Sequence, residues 1–284
     1  MKFGAHMSTA GGVWHALQRA KQIGAEVCQI FVKNNMRWFG KPHGVQELAL
    51  YANELADRRL ACVFGHAGYL INLAARPSAN REQSLKSLIQ EIQLATALGL
   101  PFLVLHPGAH LGVGEAEGLG HVVAGLDEVC AATKDSPVRI ALENTAGQGT
   151  CLGARLEELG AIFQRVKYPE RLGICIDTAH LFAAGYDIRK PGEWDTAIVS
   201  LIALVRLENI LGFHLNDSKT ALGSRVDRHA HIGKGRIGRA GFRHIVNDAR
   251  FKSHPGCLET PKSAQLTEDV QNLKTLRSLV KRIV

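Results

Sequence analysis

The feature that most restricts how this chain can fold is a regular alternation of eight short apolar runs with eight amphipathic stretches. The apolar runs are Lys2 to Met7, Val27 to Val32, Ala61 to Ala67, Pro101 to Pro107, Arg139 to Thr145, Leu172 to Asp177, Ile210 to Asp217 and Gly256 to Pro261. Each has the length of a strand buried on both faces. The helical period runs through Gly12 to Ile23, Val45 to Arg58, Arg81 to Leu98, Glu115 to Thr133, Leu156 to Val166, Gly192 to Leu207, Ala240 to Asp248 and Leu266 to Val284. In Arg81 to Leu98, for example, Leu85, Leu88, Ile89, Ile92, Ala95 and Leu98 recur at three and four, while Glu82, Lys86, Gln90 and Gln93 take the other face. Strand and helix alternating eight times predict a parallel sheet closed into a (β/α)8 TIM barrel, with residues 1–284 forming a single domain.

Other classes are excluded by what the chain lacks. No segment approaches the ~20 consecutive apolar residues of a membrane span, and the first residues show no apolar signal core, so the expected setting is intracellular, in the cytoplasm. Six cysteines stand apart at 28, 62, 130, 151, 175 and 257 with no Cys-x-x-Cys pair, which argues against a disulfide framework or a thiolate zinc knuckle. The formal net charge of +8 suits a polyanionic partner such as nucleic acid, and equally an enzyme of phosphorylated metabolites.

In a barrel of this kind chemistry sits at the C-terminal ends of the strands. The run Leu172 to Asp177 ends in a carboxylate, with His180 three residues on, and an unpaired acid at the end of a buried strand is costly. The pattern repeats: the runs close on His6, His66, His106, Glu143, Asp177, His214 and Glu259, and Asp227 and His229 lie in the loop after the seventh. One strand-end histidine is usually a packing residue. This many titratable groups in one funnel require cations, so the arrangement predicts a metal cluster. At about four ligands per zinc, nine protein ligands suit two or three ions. A set of His, Asp and Glu without thiolates suits Zn2+, with Mn2+, Co2+ or Fe2+ as substitutes. Asp227 and His229 face one side of an extended chain and form a natural pair for one ion. Asp177 and His180 share a face only if the chain turns helical directly after the strand, and otherwise reach different ions.

Three loops carry weaker signals. Gly233-Lys-Gly-Arg-Ile-Gly238 matches a dinucleotide fingerprint formally, but it follows Asp-Arg-His-Ala-His and not an apolar strand. The preferred reading is a glycine-rich loop whose backbone amides, with Lys234, Arg236 and Arg239, meet a phosphate. Lys33-Asn-Asn-Met-Arg-Trp-Phe-Gly-Lys41 and Gly68-Tyr-Leu-Ile-Asn-Leu73 mix apolar with polar or basic side chains, as suits a surface that wedges into a duplex while holding phosphates. Packing of Trp38 and Tyr69 within their own loops explains the same residues without DNA.

Taken in order, His66-Ala-Gly-Tyr-Leu-Ile-Asn-Leu73, Leu105-His-Pro-Gly108, Glu143-Asn-Thr-Ala-Gly147, Asp177-Thr-Ala-His180, Phe213-His-Leu-Asn-Asp-Ser-Lys219, Asp227-Arg-His229, Ile232-Gly-Lys-Gly-Arg-Ile-Gly238 and Leu258-Glu-Thr-Pro261 resemble the endonuclease IV family of apurinic/apyrimidinic (AP) DNA endonucleases. The resemblance implies a TIM barrel with three zinc ions, or Mn2+ or another divalent metal at one site, and access of DNA to the mouth favours a monomer. Its substrate is double-stranded DNA containing abasic sites, cut on the 5′ side to leave a 3′-hydroxyl, with trimming of blocked 3′ ends besides. Matched by position, His66, His106 and Glu143 are expected to hold a first ion, and Glu143, Asp177, His214 and Glu259 a second. His180, Asp227 and His229 are expected to hold a third. Glu143 and Glu259 are the expected catalytic carboxylates. Met36, Arg37, Trp38, Tyr69, Leu70, Lys234 and Arg236 are the expected DNA contacts.

Two positions depart from the family pattern. Asp177-Thr-Ala-His180 replaces the usual Asp-Thr-Cys-His, and Met36 stands where relatives carry a duplex-penetrating arginine, with Arg37 one place later. The competing readings are a metal-dependent sugar isomerase or epimerase on the related barrel, which needs fewer ions, and a damaged-DNA binding protein whose metals are structural.

Overall fold

A computed structural model describes residues 1–57 and 59–281; the predicted helix ends at 58 and at 282–284 lie outside the described residues. Seven strands come first: β1 (Lys2–His6), β2 (Val27–Phe31), β3 (Cys62–His66), β4 (Phe102–Leu105), β5 (Arg139–Glu143), β6 (Leu172–Asp177) and β7 (Ile210–His214). Two short strands, β8 (Asp217–Ser218) and β9 (His229–Ala230), precede β10 (Pro255–Leu258). The eight longer strands close into a barrel in the order β1-β10-β7-β6-β5-β4-β3-β2, every pair parallel, as the alternation of runs predicts.

Helices α1 (Val13–Gln22), α2 (Val45–Ala56), α3 (Ala79–Ala97), α4 (Glu115–Ala132) and α5 (Leu156–Arg165) follow the first five strands. After β6 come α6 (Thr178–Ala184) and α7 (Pro191–Val205), then α8 (Gly238–Ile245) and α9 (Thr267–Leu279). The apolar stripe of α3 faces the barrel, with Leu88, Ile92 and Ala95 wholly buried. Each such aliphatic burial stabilises by roughly 1.5–3 kcal/mol for the larger side chains. Ser78 starts the helix by accepting a hydrogen bond from the Arg81 amide. Inside the barrel, Phe64 and Phe102 stack with centroids 4.6 Å apart and pack with Val104, Ala141, Cys175 and Cys257, so the strands enclose a packed core. Four cysteines are buried and Cys151 is exposed, all with free thiols. Among the described residues no helix is long and apolar enough to cross a membrane.

Two features depart from the sequence reading. The apolar run to Asp217 is broken: β7 ends at His214, and Asp217 belongs to an antiparallel ribbon in which it pairs with Ala230. The short helix α6 has no counterpart among the predicted helices, and it begins at the residue after Asp177. Asp177 is its N-cap, with Oδ1 accepting the His180 amide at 2.8 Å. The carboxylate that ends the strand therefore also starts the helix.

Candidate metal centre

Strand register brings the predicted residues together. Glu143 lies opposite Cys175, and Asp177 opposite His214, at the C-terminal rim of β5, β6 and β7. Three groups of side chains place one ligand atom each within 4.8 Å of the others: His66, His106 and Glu143; Glu143, Asp177, His214 and Glu259; and Asp177, His180 and His229. Asp227 adjoins the last group, its two carboxylate oxygens each 3.2 Å from the Nε2 of His180 or of His229.

Glu143, fully buried, has the geometry of a bridge. Its Oε2 faces His106 Nε2 at 2.9 Å and His66 Nε2 at 3.3 Å, while its Oε1 faces His214 Nδ1 at 2.8 Å and His180 Nδ1 at 3.2 Å. Asp177 is likewise shared. Because the chain turns helical directly after β6, Asp177 and His180 lie on one face, and Asp177 Oδ2 stands 3.7 Å from His229 Nε2 and 3.9 Å from His214 Nδ1. Asp177 is therefore within reach both of the second group, where it is expected, and of the third, which holds His180. His6 joins none of the three groups; its ring packs on Phe31 at 4.3 Å.

The orientation of the imidazoles fits a metal. His66 Nδ1–H donates to the Ala67 carbonyl at 2.7 Å, His180 Nδ1–H to the Asn144 carbonyl at 2.9 Å, and His229 Nδ1–H to the Glu259 carbonyl at 3.3 Å. Each bond fixes a proton on Nδ1 and turns Nε2 inward, so that Nε2 is the atom that sheds its proton to a bound cation. Among the described residues the buried Nε2 atoms of His180 and His229 make no aligned hydrogen bond and have only the Asp227 oxygens at 3.2 Å, a costly condition that an ion relieves.

The electrostatics agree with the geometry. Burial would raise the Glu143 pKa, but the His214 and His106 charges hold it well below the carboxylate range. Burial opposes charge on His180 and His214 too, yet their acidic neighbours push both well above the usual imidazole value. His229 is raised to about 9 against its burial, chiefly by Asp177 and Asp227. Asp227 and Glu259 are lowered in spite of their burial, by His180 and His229 in one case and by His214 and His6 in the other. The funnel therefore stabilises positive charge, carried by protons in the metal-free protein and exchangeable for cations.

Several supporting residues escape a reading of strand ends. Gln29, wholly buried on β2, accepts from His214 Nε2–H at 2.6 Å and donates to Glu259 Oε1 at 2.6 Å, while its amide nitrogen lies 2.7 Å from His6 Nδ1. It sets the His214 tautomer and leaves Nδ1 for the cluster. The signal is a polar residue in the middle of an apolar run, but its partner lies 185 residues away. Asn144 and Asn216 orient Asp177 through its backbone amide and its Oδ2, at 2.8 and 2.7 Å. Replacement of Gln29 by leucine is expected to lower metal affinity at the group that contains His214 about 10- to 100-fold, measured by metal analysis after dialysis against a graded chelator. Unchanged metal retention would remove Gln29 from this role.

The glycine-rich loop is a correction. The amides of Gly233, Gly235, Ile237 and Gly238 do not await a phosphate, because they already donate to the Asp217 carboxylate over 2.9–3.4 Å. A β-carbon at Gly235 would lie 2.4 Å from Asp217 Oδ1 and 2.5 Å from the Ser218 carbonyl oxygen, so only glycine closes the loop on this buried acid. The anion that the loop cradles is the protein's own. Lys234, Arg236 and Arg239 remain on its outer side, all three exposed.

The two loops beside the mouth split their side chains between two hollows. Tyr69, 63% exposed, lines a cavity of about 650 Å3 with His6, Phe31, Asn35, Glu259 and Lys262. Trp38 and Leu70 instead line a neighbouring groove of about 440 Å3 with Arg76, Arg81 and Leu111. Met36, 67% exposed, and Arg37 project to solvent from the first loop.

Fold and ligand groups together define a xylose isomerase-like TIM barrel with candidate metal-binding groups at its mouth, and the family profile of that description matches residues 17–279. The chain is 47% identical over 280 residues to the probable endonuclease 4 of Chloroflexus aggregans, covering 99% of this chain and 98% of that protein. It is 42% identical to the probable endonuclease 4 of Geobacter sulfurreducens, covering 98% and 94%. The crystal structure of endonuclease IV from Thermus thermophilus superposes with a TM-score of 0.86 at 32% identity, covering 98% of each chain. The chain belongs to the endonuclease IV family of AP endonucleases. A D-tagatose 3-epimerase-like protein, 20% identical with a TM-score of 0.75 and covering 98% of this chain and 97% of that one, shares the fold.

Proposed function

We propose that the protein is a zinc-dependent AP endonuclease of base excision DNA repair. It hydrolyses the phosphodiester 5′ to an abasic site in double-stranded DNA, leaves a 3′-hydroxyl, and trims blocked 3′ ends as a phosphodiesterase and phosphatase. The observation that carries this reading is the convergence of the three ligand groups on Glu143 and Asp177, with Asp227 beside them. Eight ligands in overlapping groups exceed what one ion takes, which favours a phosphodiester hydrolase over a one-ion sugar epimerase.

Divalent ions held by these residues, three zinc ions in this reading, supply Lewis-acid activation and neutralise charge at a phosphodiester. Glu143 spaces the first and second groups through its two oxygens, and Glu259 completes the second opposite His214. Asn144, Asn216 and Gln29 keep the carboxylates and imidazoles from rotating. Arg37, Lys234 and Arg236 hold backbone phosphates, while Met36, Trp38, Tyr69 and Leu70 press on the duplex beside the lesion. Selectivity comes from deformation, because a nucleotide without a base has lost its stacking and is easier to extrude. The protein acts inside the cell as a monomer of one barrel domain, with its mouth open to a duplex.

Incubation with a duplex carrying one abasic site tests the reading. The expected result is a single cut 5′ to the site, abolished by a chelator and restored by Zn2+. Turnover of a ketose without incision would point to an epimerase, and binding without cutting to a damaged-DNA binding protein.

A further inference from the structure

Helix α3 carries a second stripe that its role as a barrel-packing helix does not explain. Ser84, Ser87 and Glu91, at spacings of three and four, are buried at 1%, 0% and 1% exposure. A helix that covers a barrel gains nothing from burying polar groups, and Glu91 is among the costliest to bury. Each of these residues is satisfied by one of the two mouth loops. Ser84 Oγ accepts from the Asn72 amide at 3.1 Å, and Ser87 Oγ–H donates to the Trp38 carbonyl at 2.6 Å. The half-buried neighbour Gln90 accepts from the Gly40 amide at 2.8 Å. Glu91 accepts from the Gly68 amide, at 3.0 Å to one oxygen and 3.2 Å to the other.

Glu91 also ends a buried ion pair. Lys33 Nζ lies 2.8 Å from Glu91 Oε1, with side chains only 4% and 1% exposed, and donates onward to the Arg37 carbonyl at 2.6 Å. One lysine thus links the loop after β2 to helix α3, and the same carboxylate links α3 to the loop after β3. Gly68 permits the approach: a β-carbon there would stand 3.1 Å from Lys33 Nζ and 3.2 Å from Glu91 Oε1. Lys33 and Tyr69, one from each loop, line the same cavity beside Glu259.

We propose that the polar stripe of α3, with the Lys33–Glu91 pair at its centre, positions the two mouth loops relative to each other for engagement of the duplex. Lys33, Ser87 and Glu91 are positioning residues: they act through Met36, Arg37, Trp38, Tyr69 and Leu70. This inference rests on the DNA reading above for its substrate, and on the hydrogen-bond geometry alone for the tether.

The test separates positioning from general stability. Lys33→Met with Glu91→Leu removes both buried charges, so no lone ion is left and the thermal midpoint stays close to that of the wild type. The KM for an abasic-site duplex is expected to rise about tenfold in this double variant, with the loss in KM and not in kcat, and metal content unchanged. Ser87→Ala, which cuts the Trp38 link and leaves the Lys33–Glu91 pair in place, raises KM in the same direction. Hydrogen exchange of the amides at 34–40 and 68–72 increases while the barrel strands stay protected. A KM and loop exchange that match the wild type in the double variant would overturn the proposal, as would exchange raised uniformly across the barrel. If the wild type fails to cut the duplex, the functional reading falls and the exchange measurement still decides the tether.

Discussion

Glu143→Ala abolishes incision of an abasic-site duplex, with a fall in rate on the order of 10^4-fold or more. The size of the effect follows from its two oxygens. Loss of Oε2 leaves His66 and His106 without a carboxylate, and loss of Oε1 removes the nearest anion from His214 and a close one from His180. Two of the three ligand groups are therefore damaged by one substitution. Metal analysis of the purified variant is expected to show at least one ion missing out of about three. The barrel persists, because β5 is held by its pairing with β4 and β6 and not by its last side chain. Cooperative melting with an unchanged circular dichroism spectrum checks this. Glu143→Gln, which keeps the volume and loses the charge, is expected to behave as the alanine variant does; wild-type incision in either would sink the assignment.

Asp227→Ala and His229→Ala, separately and together, remove a different part of the site. Both residues stand on the chain that leads into or forms β9, outside the barrel sheet, and the Asp227 side chain is 43% exposed. Their loss leaves the groups around Glu143 complete. The expected result is one ion lost of about three, with incision reduced on the order of 10^2- to 10^3-fold. Stability of the metal-free protein changes by about 1 kcal/mol or less, since no packed apolar volume is lost. Metal content and rate are measured on the same preparations. If all the ions leave together, the three groups do not behave as separable sites, and the assignment of Asp227 and His229 to one of them fails.

The contrast between these variants marks where the sequence is legible. Strand-end chemistry can be read without coordinates because a parallel barrel strand aims its last residue at the mouth, whatever its neighbours are. His66, His106, Glu143, Asp177, His214 and Glu259 come together for that reason. His180 and Asp227-Arg-His229 are visible as metal-type residues, but their grouping with Asp177 depends on a helix beginning at Thr178, which seven residues of ordinary composition do not announce. The glycine-rich loop is legible as an anion-binding nest, while the identity of its anion is not. Nothing local indicates that Asp217, sixteen residues before Gly233, turns back to fill it.

Local period and residue type thus determine by themselves the barrel, its strand ends and the cation-attracting character of the site, because burial and side-chain alternation act over a few residues. Only the tertiary structure decides which lone pair each histidine presents, which oxygen of Glu143 serves which group, and what the buried polar stripe of α3 is for. Those are hydrogen bonds between residues far apart in the chain: Gln29 with His214, His180 with Asn144, Glu91 with Gly68. Their geometry exists only after the strands have closed, when a buried polar atom must find a partner or remain costly.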